Sequence, residues 1–162
     1  MQSLYLPALR SLLLTLVLAL TACSDRSQSS SSHGTSGGGH HHEPPHGGIG
    51  VELGDHHAQL EFLVNTTNGT VSAYVLDGHM ENFIRLPAPS LDLRITGAGD
   101  EKELKLMPKA NSATGETAGS TSLFEGQADW LKTATSFKAT LKEIKVRGAT
   151  FTNVVFSFPA AK

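Results

Sequence analysis

The sequence of 162 residues has little of several residue types, and each shortage excludes a class of protein. The single cysteine, Cys23, excludes an internal disulfide framework and any metal site that needs several thiolates. The motif GxxxxGK does not occur, and the net charge of -2 gives no broad cationic surface. GxSxG and HExxH occur once each, as GTSGG at 34–38 and HEPPH at 42–46, in a Ser-, Gly- and Pro-rich stretch without the strand–turn–helix or helix that these catalytic motifs require. We therefore expect neither an enzyme nor a nucleic-acid-binding protein.

Histidine is abundant by contrast, and its distribution is uneven. All eight histidines lie in the first half of the chain, and none follows Met80. They are His33, His40, His41, His42, His46, His56, His57 and His79. Neutral imidazole is a good ligand for Zn²⁺, Cu²⁺ and Ni²⁺, so this skew points to binding of transition-metal ions. The histidine-bearing part is also the acidic part of the chain, which concentrates cations locally.

Residues 1–22 contain the longest apolar stretch. Arg10 precedes a short apolar run at 12–20, which is too short to span a membrane and is typical of a secretory signal peptide. The motif Leu20-Thr21-Ala22-Cys23 resembles the lipobox of bacterial lipoproteins. The resemblance implies cleavage before Cys23 and lipidation of its thiol. The alternative is an ordinary signal peptide followed by a chance or buried cysteine.

A lipidated Cys23 implies a chain anchored to a membrane of the cell envelope, facing the periplasm. Ser24 follows the cysteine, which by resemblance to the sorting pattern of Gram-negative lipoproteins favours the outer membrane. Residues 23–45 are rich in Ser, Gly and His and lack apolar side chains able to pack, which predicts a disordered tether. His40, His41 and His42 can wrap several nitrogens around one ion there. The other interpretation is an inert hydrophilic spacer.

Residues 46–162 have the pattern of an all-β domain. Apolar and polar residues alternate in short segments separated by turn residues, which predicts a small antiparallel β-sandwich or barrel of about seven to eight strands. Expected strands are 58–64, 71–76, 91–95, 104–106, 123–124, 137–146 and 154–158. We expect a bulge at Lys142-Glu143, where the alternation changes phase, and one helical turn at 128–132. The polar stretch 109–121 leaves open a division into two small β-meanders.

A second resemblance covers about residues 46–80. HGG at His46, LGDxHxxxE ending at Glu61 and YVLD at Tyr74 resemble a segment of small envelope proteins and of extra domains in some periplasmic adaptor subunits of heavy-metal efflux systems. Carried over by position, this resemblance implies that His46, His57 and Glu61 are candidate functional residues. It also implies a metal-efflux or other envelope protein as a partner.

Strand geometry limits which of these residues can share an ion. On one continuous strand, His57 and Glu61 would lie about 13 Å apart, so further ligands must come from neighbouring segments. His46 and His79 become candidates if residues 49–53 pair with 58–62. The turn itself, with Asp55, His56 and His57 close together, is another candidate for a shallow site.

The sequence leaves alternative roles open for His56 and Met80. His56 is in phase with Ala58 and Leu60, and it can instead be an inward-facing histidine. Met80 beside His79 offers a soft sulfur that suits copper, or it is a core residue.

Two functions remain open. The first is a membrane-anchored extracytoplasmic lipoprotein that binds Zn, Cu or Ni ions and serves in sequestration or as an efflux accessory. The second is an envelope interaction or structural β-domain with an inert histidine-rich spacer. The expected metal ligands are His40, His41, His42, His46, His56, His57, Glu61 and His79.

Overall fold

The computed structural model describes residues 42–97 and 99–160. The expected signal peptide and lipobox, and the expected ligands His40 and His41, lie outside the described residues. Within the described ranges, no helix has the length and apolar character needed to cross a membrane.

The described chain forms eight antiparallel strands in a single sheet. The strands are β1 (Ile49–Leu53), β2 (Ala58–Asn65), β3 (Thr70–Leu76), β4 (Leu91–Thr96), β5 (Lys102–Pro108), β6 (Leu123–Gln127), β7 (Phe137–Val146) and β8 (Ala149–Phe158). Their order in the sheet is β1-β2-β3-β6-β5-β4-β7-β8, and the sheet curls until β8 lies beside β1. The expected small antiparallel β-barrel is thus confirmed as a nearly closed barrel. The helical turn expected near residue 130 is a short 3₁₀ helix, Asp129–Thr133.

The hairpins follow the alternation in the sequence. β1 pairs with β2 across the Gly54-Asp55 turn, with Leu53 opposite Ala58. The strands of the pairs β2–β3, β4–β5 and β7–β8 are also hydrogen-bonded neighbours. β5 pairs with β6 through Met107 and Glu125, so the polar stretch 109–121 connects two neighbours within one sheet.

The change of phase in β7 has a different form from the expected bulge. Lys142 and Glu143 are both exposed, as the sequence pattern requires. However, Leu141 pairs with Val154 and Glu143 pairs with Thr152, so the register is the same on both sides and no residue is inserted. The partner strand accommodates the reversal at Asn153, which has a positive φ of 54°.

One hydrophobic core fills the barrel. Alternate residues of every strand contribute to it, and the rings of Phe62 and Phe156 stack at 4.0 Å across it. The opposite face of β2 is covered as well, because Gln59 and Glu61 are also buried. Residues 42–48 and the loop after β3 provide this cover. His42 and Pro44, expected in the tether, are therefore half-buried, and Pro44 lies against Gly50 of the barrel.

Candidate metal site

Glu61 is a buried carboxylate on the outward face of β2. Its two neighbours on the strand, Leu60 and Phe62, are core residues, and its own side chain is 0% exposed. Glu61 Oε1 accepts hydrogen bonds from the backbone N–H groups of His46 at 2.8 Å and Gly48 at 2.9 Å. Glu61 Oε2 lies 2.7 Å from His46 Nδ1. Three donors thus converge on one carboxylate, which compensates for the loss of its hydration.

The imidazole of His46 makes contacts through the face of its ring in addition to the Nδ1 contact with Glu61. It stacks on the ring of Tyr74 at a centroid distance of 4.1 Å, and the ring of Phe83 lies 5.9 Å away. Burial raises the pKa of the Tyr74 hydroxyl, and the negative charges of Glu61 and Glu125 raise it further. The Tyr74 phenol is therefore neutral at physiological pH.

The two glycines after His46 explain how the chain reaches Glu61. Gly47 has a φ of +70°, a left-handed conformation that glycine adopts without strain. A Cβ at Gly48 would lie 2.7 Å from the carbonyl oxygen of Phe62 and 2.8 Å from Glu61 Cγ. The HGG pattern and Glu61, which carry part of the resemblance described above, therefore form one contact cluster.

A second cluster contains three histidine rings from three separate segments. His42 precedes β1, His56 lies in the β1–β2 turn, and His79 lies in the loop after β3. The ring centroids of His42 and His79 are 5.2 Å apart, those of His42 and His56 are 6.0 Å apart, and those of His56 and His79 are 6.3 Å apart. We call these three residues the histidine cluster.

Local backbone features bring His56 and His79 together. His56 has a φ of +53°, and its backbone N–H donates to Glu52 Oε1 at 2.8 Å. The carbonyl group of His56 packs where Gly78 would carry a Cβ, so only glycine permits this approach of the two loops. Asp77 shapes the second loop by accepting hydrogen bonds from the backbone N–H groups of His79 and Glu81.

The Nε2 atom of His42 is buried and has no hydrogen-bond partner among the described residues. A buried imidazole nitrogen without a partner is unfavourable by about 1–3 kcal/mol relative to a bonded one. A metal ion would satisfy this nitrogen through its lone pair.

Two carboxylates adjoin the histidine cluster at His56. Nδ1 of His56 lies 3.1 Å from Glu52 Oε1 and 3.4 Å from Asp55 Oδ1. Ligand atoms of these three residues lie within 4.8 Å of one another. A carboxylate on one imidazole nitrogen leaves the other nitrogen to the ion, as is usual for metal-bound histidines.

The spacing of the rings is close to that of a metal site. Two imidazoles bound at about 2.0–2.1 Å in tetrahedral geometry place their ring centres about 5 Å apart. The His42–His79 distance matches this value, and the two distances to His56 are about 1 Å longer. Among the described residues, the ligand atoms that all lie within 4.8 Å of one another are those of Glu52, Asp55 and His56, and His42 and His79 do not belong to that group.

The expected ligand His57 lies outside the histidine cluster. His57 Nε2 is 3.0 Å from the carbonyl oxygen of Val146, and its ring packs beside Phe151. His56 lies in the partly exposed turn, outside the hydrophobic core. Met80 is a buried residue whose methyl group lies against Gly50.

Sequence reasoning missed the roles of Glu52 and Gly78, although a glycine directly before His79 is a signal of close backbone approach.

The fold and the site define a class of protein, a small antiparallel β-barrel with a histidine and carboxylate cluster at one end of its β1–β2 hairpin. Comparison with protein-family models, with curated proteins and with solved structures found no match.

Proposed function

We propose that this protein binds divalent transition-metal ions such as Zn²⁺, Cu²⁺ or Ni²⁺ at the histidine cluster. His42, His56 and His79 are the ligands, and Glu52 and Asp55 supply negative charge beside His56. The observation that carries the proposal is the convergence of three imidazoles from three separate chain segments at 5.2–6.3 Å.

Three further features support this assignment. Nε2 of His42 is buried without a partner, which a bound ion would correct. The carboxylates near His56 favour a divalent cation through their charge. The chemistry of imidazole with carboxylate suits borderline ions such as Zn²⁺ and Cu²⁺ better than Mg²⁺ or Ca²⁺.

The proposed setting is the cell envelope. A lipidated Cys23 would anchor the chain to a membrane facing the periplasm, with the outer membrane favoured by Ser24. Only about 20 residues separate this anchor from the site, so the bound ion would remain near the membrane surface. Sequestration of metal ions, or their transfer to an efflux protein, is the role that fits such a position.

The test is a calorimetric titration of Zn²⁺, Cu²⁺ and Ni²⁺ into the untagged, unlipidated chain that begins at Ser24. We expect one tight site, with a dissociation constant below about 10 µM for at least one ion. The variant His42→Ala should weaken this site at least about tenfold, since it removes one of three ligands.

His41→Ala is the matched control, because His41 has the same chemistry and is adjacent in sequence. It should leave the tight site unchanged. Equal losses in the two variants would indicate loose chelation by the histidine tract and contradict the proposed site. Binding no better than millimolar to the unmodified chain would contradict metal binding altogether and favour an envelope interaction domain with an inert spacer.

A further inference from the structure

His42 differs from the other two members of the histidine cluster in how the fold holds it. His56 and His79 lie in connections next to paired strands, at β1–β2 and after β3. His42 precedes the first strand, so no strand pairing fixes it. A ligand on an unrestrained segment loses conformational freedom when it binds an ion, and this loss weakens the affinity.

Glu61 is the main polar attachment of this segment to the barrel. It accepts the N–H groups of His46 and Gly48 and contacts His46 Nδ1, all within 2.7–2.9 Å. Between His42 and His46 lie Pro44 and Pro45, whose rings fix their φ angles and restrict the preceding residues. The hydrogen bonds that fix His46 therefore also restrict the position of His42.

Glu61 does not itself meet the requirements of a metal ligand in the described structure. Its side chain is 0% exposed, and both carboxylate oxygens already face donors. It is also separate from the group formed by Glu52, Asp55 and His56. Any influence of Glu61 on the ion must act through the position of the segment that carries His42.

We infer that Glu61 is a positioning residue for the metal site. By fixing His46 and Gly48, it holds His42 against the β1–β2 turn and the loop after β3, and so sets the affinity of the histidine cluster. This inference rests on the proposed function. It gives His46 and Glu61 a structural part in metal binding in place of direct coordination.

The variant Glu61→Gln tests the inference by isothermal titration with Zn²⁺. Glutamine keeps the shape of the side chain and places a donor group where an oxygen accepts a hydrogen bond. We expect about tenfold weaker Zn²⁺ binding in an otherwise folded protein, as is typical when the partner of a ligand-bearing group is removed. In a His42→Ala background, Glu61→Gln should have no further effect, because the ligand that it positions is already absent.

Glu116→Gln is the matched control. Glu116 is a second buried carboxylate, which accepts hydrogen bonds from Ser122, and no hydrogen bond or ion pair among the described residues joins it to His46 or to the histidine cluster. Its substitution should leave Zn²⁺ affinity unchanged. His46→Phe is a second variant, which keeps a ring against Tyr74 and removes the contact with Glu61. It should weaken binding several-fold.

The outcomes separate the two proposals. If the unmodified chain binds no Zn²⁺, the proposed function is contradicted. If it binds Zn²⁺ and Glu61→Gln binds equally well, the positioning role alone is contradicted. An equal loss from Glu61→Gln with and without His42 would also contradict that role, because it would indicate a general effect on the fold.

Discussion

The outward faces of β2 and β7 have similar alternating sequences and different surroundings. On β2, Gln59 and Glu61 alternate with core residues and are 6% and 0% exposed. On β7, Lys138 and Lys142 alternate with core residues in the same way, yet both are exposed. The difference arises because residues 42–48 and the loop after β3 cover β2. Alternation therefore identifies the core face of a strand, while the cover on the other face decides where a site can form.

The largest expected effect on the free energy of unfolding comes from removing Glu61 on the covered face of β2. Removing Lys142 on the open face of β7 is the comparison. Glu61→Ala should lower the free energy of unfolding by about 3 kcal/mol, because three hydrogen-bond donors lose a buried acceptor. Lys142→Ala should leave it nearly unchanged, because the ion pair of Lys142 with Glu103 lies at the solvent-exposed surface. Urea denaturation of both variants checks this prediction. Equal effects would show that the two faces do not differ energetically.

The next effect concerns the contact between the two loops of the histidine cluster. Gly78→Ala should destabilise the protein by about 2 kcal/mol, because a Cβ would overlap the carbonyl group of His56. It should also weaken Zn²⁺ binding by separating His56 from His79. Gly119→Ala is the control, since a Cβ there would meet no atom within 4 Å. Thermal unfolding and Zn²⁺ titration measure both effects, and identical results for the two glycines would contradict the close approach.

Asp77 gives a smaller, pH-dependent effect. Burial opposes its ionisation, but hydrogen bonds from Asn82, Glu81 and His79 outweigh this and lower the pKa of the carboxyl group. Its contribution to stability is therefore complete above the ordinary value near pH 4 and is lost as the pH falls through the lowered pKa. Asp77→Asn should cost about 1 kcal/mol at pH 7. Denaturation at a series of pH values should show this difference disappearing in acid, and a constant difference would contradict the assignment.

The smallest effect is spectroscopic. Tyr74 is the only tyrosine beyond the expected signal peptide, so ultraviolet absorbance at alkaline pH follows its ionisation alone. Because Glu61 raises the pKa of Tyr74 more than Glu125 does, Glu61→Gln should lower that pKa more than Glu125→Gln. The reverse order would show that the Glu61 charge is not close to the Tyr74 ring in solution.

Much of the barrel could be predicted from the sequence, since burial within a strand is a local property. Leu60 and Phe62 on β2 and Leu141 on β7 follow the alternation and are core residues. The change in the apolar–polar alternation at Lys142 can be read from the sequence. How the backbone accommodates it cannot, because the adjustment occurs on the partner strand, at Asn153.

The site was harder to predict, because it depends on contacts between distant segments. The composition of residues 23–45 places His42 in the tether, yet Pro44 packs on Gly50 and brings His42 beside His56 and His79. The spacing of the histidines along the chain carries no information about this path. The sequence pattern also treats Glu61 as a polar residue on an open face, because the segment that covers it lies 13–15 residues away.

The position of a bound ion tests the central claim most directly. Crystals of the untagged, unlipidated chain grown with Zn²⁺ would locate the metal by anomalous diffraction. We predict an anomalous peak among His42, His56 and His79, with imidazole nitrogens at about 2.0–2.1 Å. An ion held by His40 and His41 alone, or the absence of any peak at the histidine cluster, would contradict the account.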